Sequence, residues 1–420
     1  MQTKTYSYFQ PEYVKNFKCD GQACGAHCCR RWNIEIDKKT FKKYSHVKPK
    51  SAAHEIVKHI KKGTIDNKER YLVQLDKTAS CPFLTEDNWC HIQKKYGEEF
   101  LSETCVTYPR RTYSFKNFYE RALTMTCPVV AATVLVFSEP IKFEHIEVPE
   151  IIHNNLNRIT SPFSPVPVEL WQYIIKIQSA AISILQRREL SIDHRLIVLG
   201  FFLDRLDEMI DNNGLEEIDK LTEIYTSDDF IKEYAPIFAQ KVNFNAKEFV
   251  KIILGTFEAL YGGESDFRRK DRRFIDSVVE ALQIRVDANN QVAVDEIAQN
   301  YLELSKFRKV FVEQYATVFE NFLVNEFFLN QYPWKFKGSI TYNFGVFVTI
   351  YKMLETIAMS KTIQNLKQSK QPPMNKIELT TEIILFVNNV DHNNSYVNKI
   401  SEQLSGKDNT ALLIQSLLQS

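Results

Sequence analysis

The spacing of apolar positions divides the chain into two unlike parts. In the first, to about Pro140, short alternating runs mix with short helical ones. Trp32, Ile34 and Ile36 are separated by polar residues, as on a half-buried strand. Asp37 then stands where it can cap a helix running through Tyr44. Residues 81–92 (CPFLTEDNWCHI) read as a β-hairpin about the polar turn Thr85–Asn88. Pairing Phe83 with Cys90 would place Cys81 and Cys90 on one face, diagonally opposed. The run Pro128–Phe137 (PVVAATVLVF) is about half the roughly 20 residues a membrane span needs, so it reads as a buried helix.

The second part is helical almost throughout. Leu170, Ile174, Ile177, Ala181 and Ile184 follow the three-to-four spacing of one helix face. Ser191 caps a helix to about Asp211, closed by Asn-Asn-Gly at 212–214, and Ser227 caps another. Phe249, Ile253, Phe257 and Leu260 stripe a further helix, and the pattern fits more at 274–286, 294–331, 342–366 and 377–391. The segment KQSKQPPMNK is a loop, and no repeat period of a solenoid is present. The expected architecture is mainly α: a cysteine-rich α+β metal-binding domain with a small hairpin, then an all-α domain. Its expected boundaries are 1–140 for the cysteine-rich domain, 141–167 for a connector, 168–400 for the helical domain and 401–420 for a weakly ordered tail. The connector is marked by SPFSPVPV, with prolines at 162, 165 and 167 that forbid helix.

Composition adds few exclusions. The chain has 420 residues, 44% of them hydrophobic and 25% charged, and a net charge of +1, as in an ordinary globular protein. Such a balance argues against nucleic acid as partner. The opening MQTKTYSYFQPEY lacks a basic stretch followed by an apolar one, which together with the short apolar runs gives the expectation of a cytoplasmic protein without membrane partners. From Lys38 to Lys62 there are nine lysines and one glutamate, either a solvated surface or a patch that steers an acidic substrate protein.

The cysteines change the picture. All eight (Cys19, Cys24, Cys28, Cys29, Cys81, Cys90, Cys105, Cys127) fall within the first 127 residues. Scattered core thiols would not avoid two thirds of the chain, and in a cytosolic protein such a cluster signals metal or redox chemistry. Thiolates are the soft ligands that iron–sulfur clusters and zinc prefer, and four saturate either centre. Gly21 and Gly25 give the first loop freedom to wrap a metal. Cys127 precedes Pro128, a residue suited to open a helix, whose positive end favours a thiolate. The absence of any C-x2-C pair, the mark of zinc knuckles, tilts the choice towards iron–sulfur, with zinc and a thiol redox role as the alternatives. The C-x3-C-x2-C triad of radical enzymes is also missing, because position 31 is Arg. Neither G-x-G-x-x-G nor a P-loop nor a G-x-S-x-G elbow occurs. His27 and His91 beside cysteines are either ligands or loop histidines, and Asp391-His392 reads as a polar helix end rather than a catalytic pair.

The run FKCDGQACGAHCCRRWNIEIDKKTF from Phe17 resembles the opening of the flagellin lysine-N-methylase family. So do CPFLTEDNWCHI from Cys81, GEEFLSETCVTYPR at Gly97–Arg110 and ALTMTCP from Ala122, and FENFLVNEFFLNQYP at Phe319–Pro333 resembles its helical region. Shorter parts of these patterns also occur in small zinc- or iron-chelating cysteine domains. The resemblance implies methyl transfer from S-adenosylmethionine to lysine ε-amines of flagellin, dependent on a [4Fe–4S] cluster held by cysteines of this set. Arg110 and Arg111 would then bind the carboxylate of S-adenosylmethionine or neutralise an anionic cluster. Tyr108 and Trp32 would stack on its adenine or wall in the cluster. Glu320, Asn321 and Asn325 share one helix, either lining a cleft or buried and hydrogen-bonded. The resemblance names no catalytic base. The other reading of the same residues is a metal-binding module that only stabilises the fold, with the helical half as a partner-binding scaffold.

Overall fold

The computed structural model describes residues 5–25, 27–30, 34–65, 68–149, 165–212, 214–238, 244–261, 273–285, 293–369, 374–390 and 400. The chain divides into two units, one built from residues within 1–131 and 142–163, the other from residues within 132–141, 164–265 and 270–420. The chain thus leaves the first unit at 131, returns to it at 142 and leaves it again after 163, with 132–141 belonging to the helical unit.

The first unit contains strands β1 (Thr5–Pro11), β2 (Glu35–Ile36), β3 (Ile60–Ile65), β4 (Lys68–Val73), β5 (Arg110–Ser114), β6 (Tyr119–Leu123) and β7 (Phe143–Pro149). Its helices are α1 (Tyr13–Asn16), α2 (Lys38–Ser45), α3 (Lys50–Val57), α4 (His91–Tyr96) and α5 (Glu103–Thr107), and α6 (Pro128–Val134) leads out of it. One sheet has the order β5-β6-β1-β7; in it β1 runs parallel to β6, with Tyr8 opposite Tyr119, and antiparallel to β7. A second sheet has the order β2-β4-β3; β3 pairs antiparallel with β4, as β5 does with β6 in the first sheet. Ile34 and Ile36 are buried as their alternation requires; Trp32 lies outside the described residues. The Asp37 carboxylate accepts from the Thr40 N–H at 2.8 Å and so caps α2 as expected.

Residues 81–92 depart from the expected hairpin. They form a tight turn in which Thr85 N–H donates to Trp89 O and Asn88 takes a left-handed φ of 60°. A single bridge pairs Leu84, rather than Phe83, with Cys90. Two features prevent a longer ladder: Pro82 has no N–H to give, and Cys90 caps α4, so the second arm turns helical at once.

The second unit is all helical among its described residues. It runs through α7 (Ile174–Leu185), α8 (Ile192–Asp211), α9 (Ile218–Thr226), α10 (Asp228–Phe238), α11 (Ala246–Tyr261) and α12 (Arg273–Ala281). It continues with α13 (Val294–Ser305), α14 (Arg308–Gln314), α15 (Ala316–Leu329), α16 (Ile340–Ser369) and α17 (Lys376–Val390). Ser191 and Ser227 each accept an N–H three residues on, so both caps form where the pattern placed them. The single helix expected at 294–331 is three. No Gly or Pro marks the breaks; each reorients a side chain inward, Arg308 to Asp193 and Glu355, and Tyr315 to the carbonyl of Met374. Every side chain from Val318 to Leu329 is buried, which makes α15 the centre of this unit. No helix among the described residues is long and apolar enough to cross a membrane.

Candidate metal centre

Four short segments of the first unit carry its cysteines, and backbone contacts draw them together. The loop 19–25 is wound by Ala23 N–H on the Asp20 carboxylate at 2.9 Å and Cys24 N–H on Asp20 O at 3.1 Å. Gly25 closes it with a φ of +61°, the left-handed region that glycine enters without penalty. Gly21 serves otherwise: a Cβ there would stand 2.7 Å from the Asn88 carbonyl oxygen, so only glycine lets this loop lie against the 85–89 turn. After a 3₁₀ turn at His27–Cys29, Cys81 N–H donates to Cys29 O at 2.8 Å. Arg30 fastens the same junction, donating to Gly25 O, to Ser80 Oγ at 3.0 Å and to Asn88 Oδ1 at 3.1 Å. Ser102 caps α5 through Cys105 N–H, and Cys127 caps α6, its carbonyl accepting from Ala131 N–H at 3.0 Å.

The result is a cavity of about 580 Å³ lined by Cys19, Cys24, Cys28, Cys29, Cys90, Cys105 and Cys127. Cys81 does not line it and is buried in the core beside it. The Sγ atoms of Cys28 and Cys29 stand 3.9 Å apart. Among the described residues no three Cys, His, Asp or Glu side chains are arranged to hold a single metal ion. Cysteine thiolates are the soft donors that zinc and iron–sulfur centres take.

Burial pushes the Cys81 and Cys105 thiols up to about 12 and that of Cys127 up to about 11, and neighbouring thiols add to each shift. The N–H groups of Val129 and Val130 at the start of α6 do favour the Cys127 thiolate, but burial outweighs them.

The remaining residues singled out from sequence fall in several places. Arg110 lines the cavity and its guanidinium lies 5.2 Å from the centre of the Phe17 ring; burial lowers its pKa against the opposing pull of Glu98 and Cys19. Arg111, one residue along β5, is not among the lining residues. Tyr108 lines the cavity with its hydroxyl 3.2 Å from Thr126 Oγ1, and burial followed by the Cys127 charge raises its pKa. His91 is exposed and outside the lining, and the side chain of His27 and the pair Asp391-His392 are outside the described residues. Glu320, Asn321 and Asn325 are buried in α15: Glu320 is bonded to Arg188 and Arg195, and Asn321 donates to Phe137 O at 2.9 Å. They hold the helical core rather than line a cleft.

Sequence reasoning missed Arg30 and Arg121. Arg121 lines the cavity from β6, 4.1 Å from the centre of the Tyr8 ring and bonded to Thr112 Oγ1. Only the register of the parallel β1–β6 pair reveals it, and no local signal encodes that pairing. The nine lysines of 38–62 are mostly exposed along α2, α3 and β3, in part paired, as Lys58 with Glu55 and Lys62 with Glu69 at 3.0 Å.

Residues 178–416, more than half of the chain, match the family model described as the FliB lysine N-methylase C-terminal domain. The flagellar biosynthetic protein FliU of Salmonella muenchen is 35% identical over 136 residues, 31% of this chain and 79% of that protein. The lysine-N-methylases of Salmonella choleraesuis (strain SC-B67) and Salmonella typhimurium (strain LT2) are each 35% identical over 133 residues, 31% of this chain but only 33% of their own lengths. No solved structure matches. With its helical half inside the family model and these relatives beside it, the chain belongs to the FliB lysine N-methylase family.

Proposed function

We propose that the protein is a protein-lysine N-methyltransferase, with flagellin as substrate, S-adenosylmethionine as methyl donor and an iron–sulfur cluster held by cysteines of the first unit. The observation that carries this reading is a cavity lined by seven thiols together with Arg110 and Tyr108, in a chain of a lysine N-methylase family. The relatives' names, a flagellar biosynthetic protein and lysine-N-methylases, support flagellin and lysine as targets.

S-adenosylmethionine would supply a methyl group on a sulfonium, and the cluster a fixed electrophilic iron centre for anchoring or redox work. The chain's own residues do the rest. Arg110 offers a planar fork to a carboxylate, and Tyr108 and Trp89 offer aromatic faces to a base. The lysine ammonium has a reference pKa of about 10.4, so its amine must shed a proton before it can act as a nucleophile. Asp20 and Glu98 are the carboxylates among the described lining residues and can take that proton. The exposed lysines of 38–62 would steer an acidic protein surface.

The test is to incubate anaerobically reconstituted protein with S-adenosylmethionine and purified flagellin and to weigh the flagellin. Mass increments of one methyl group, mapped to lysines, are expected. Unmodified flagellin, with the metal centre intact by iron and sulfide analysis, contradicts the reading. A purely structural metal module would show metal and no stabilisation by S-adenosylmethionine.

A further inference from the structure

Eight thiols are twice what one four-thiolate centre uses, and the fold sorts them into two sets of four. The first set belongs to a continuous hydrophobic core with Ile34, Ile36, Tyr44, Phe83 and Ile92: Cys81 is one of its buried members, and Cys29, Cys90 and Cys105 pack against it. The other four, Cys19, Cys24, Cys28 and Cys127, are not part of that core and all line the cavity, which Cys29, Cys90 and Cys105 reach from the core side.

The adjacent pair explains the sorting. Consecutive cysteines can hand one ligand to each of two neighbouring centres. Here Cys29 is tied by its carbonyl to Cys81 and packs against the core, while Cys28, its Sγ 3.9 Å from Cys29 Sγ, does not; both reach the cavity wall. One dipeptide therefore supplies one ligand to each set.

We propose that the first unit holds two four-thiolate metal centres, an inner one on Cys29, Cys81, Cys90 and Cys105 and an outer one on Cys19, Cys24, Cys28 and Cys127, joined at the Cys28–Cys29 step. Each set has the four thiolates that one iron–sulfur cluster takes. The inner set packs against apolar side chains and secures the fold, with Cys29, Cys90 and Cys105 also reaching the cavity wall. The outer set stands wholly on the cavity side, with Arg110 and Tyr108 beside it. This rests on the reading that the cysteines bind metal, not on methyl transfer itself.

Metal counting separates the possibilities. Full-length protein reconstituted anaerobically is analysed for iron, sulfide and zinc per chain, beside the double variants Cys19→Ala/Cys24→Ala and Cys90→Ala/Cys105→Ala. The wild type is expected to hold two centres' worth, roughly eight irons and eight sulfides if both are [4Fe–4S] clusters. The outer double variant, altered only at exposed and half-buried positions, should keep its circular dichroism spectrum and half of that metal. Combining Cys19→Ala with Cys105→Ala should deplete both centres. A wild type with one centre's metal or none, or an outer double variant that loses all or nothing, overturns the proposal. A chain that methylates with a single centre sinks this inference alone, and one with two centres that never methylates sinks the enzymatic reading alone. The inner double variant is expected to lose the other half with a large fall in Tm; should it fail to fold, the outer variant still decides.

Discussion

At the scale of single residues, the cavity distinguishes neighbours that sequence alone treats alike. Arg110 and Arg111 are consecutive on β5, so their side chains leave opposite faces of the sheet. Only Arg110 reaches the cavity wall. Replacing it by alanine should weaken S-adenosylmethionine binding by roughly ten- to a hundredfold, the worth of a hydrogen bond to a charged partner. Arg111→Ala should leave that affinity unchanged. Isothermal titration of the two variants checks this, and equal losses in both would remove the assigned role of Arg110. The positions of thiols and arginines were readable from the sequence, but which arginine faces inward was not, because alternation along β5 does not say which face of the sheet borders the cavity.

At the scale of elements, one carboxylate joins two helices. Asp37 caps α2 through one oxygen and accepts from Glu103 N–H through the other at 3.1 Å, at the start of the helix that carries Cys105. Asp37→Ala is expected to cost about 2 kcal/mol, a cap plus a second hydrogen bond, and to lower metal retention at the inner set. A variant with unchanged urea midpoint and metal content would show that the cap is idle. Caps at Asp37, Ser191 and Ser227 were legible because they are local chemistry. The breaks within 294–331 and the short arms at 81–92 were not, since tertiary partners and a missing proline N–H decide them. α3 and α9 also passed unnoticed.

The helical unit places a buried charge network beneath α16. Arg308 bonds Asp193 at 2.7 and 2.6 Å and the Glu355 carboxylate at 2.6 and 2.9 Å, and Lys352 reaches Glu355 at 2.7 Å. Burial alone would raise Glu355, but Arg308 and Lys352 outweigh it and hold its carboxyl well below the usual range. Burial pushes Lys352 down to about 8. For Glu355 the folded state binds a proton more weakly than the unfolded chain. Its contribution is therefore complete at neutral pH and drains away as the pH falls below the ordinary glutamate value of about 4.3. Glu355→Gln should cost about 3–5 kcal/mol at pH 7 by leaving cations uncompensated, and the penalty should shrink in acid. Urea midpoints of both proteins across that range test it; a pH-independent difference would mean that Glu355 acts through packing alone.

For the whole molecule, the period change in the sequence marked a cysteine-rich α+β part and a helical part, and the structure has both. What the sequence could not carry is how the chain passes back and forth between the units and how the parallel β1–β6 pair closes one wall of the cavity. Both depend on contacts between distant segments, whereas the cysteines announce themselves by composition. The account stands on those thiols holding an inorganic centre. X-ray absorption at the metal edge of anaerobically purified, full-length protein tests this most directly. It should show a first shell of sulfur alone, near the roughly 2.3 Å of metal–thiolate bonds. A shell of oxygen or nitrogen, or protein without bound metal after reconstitution, would contradict it.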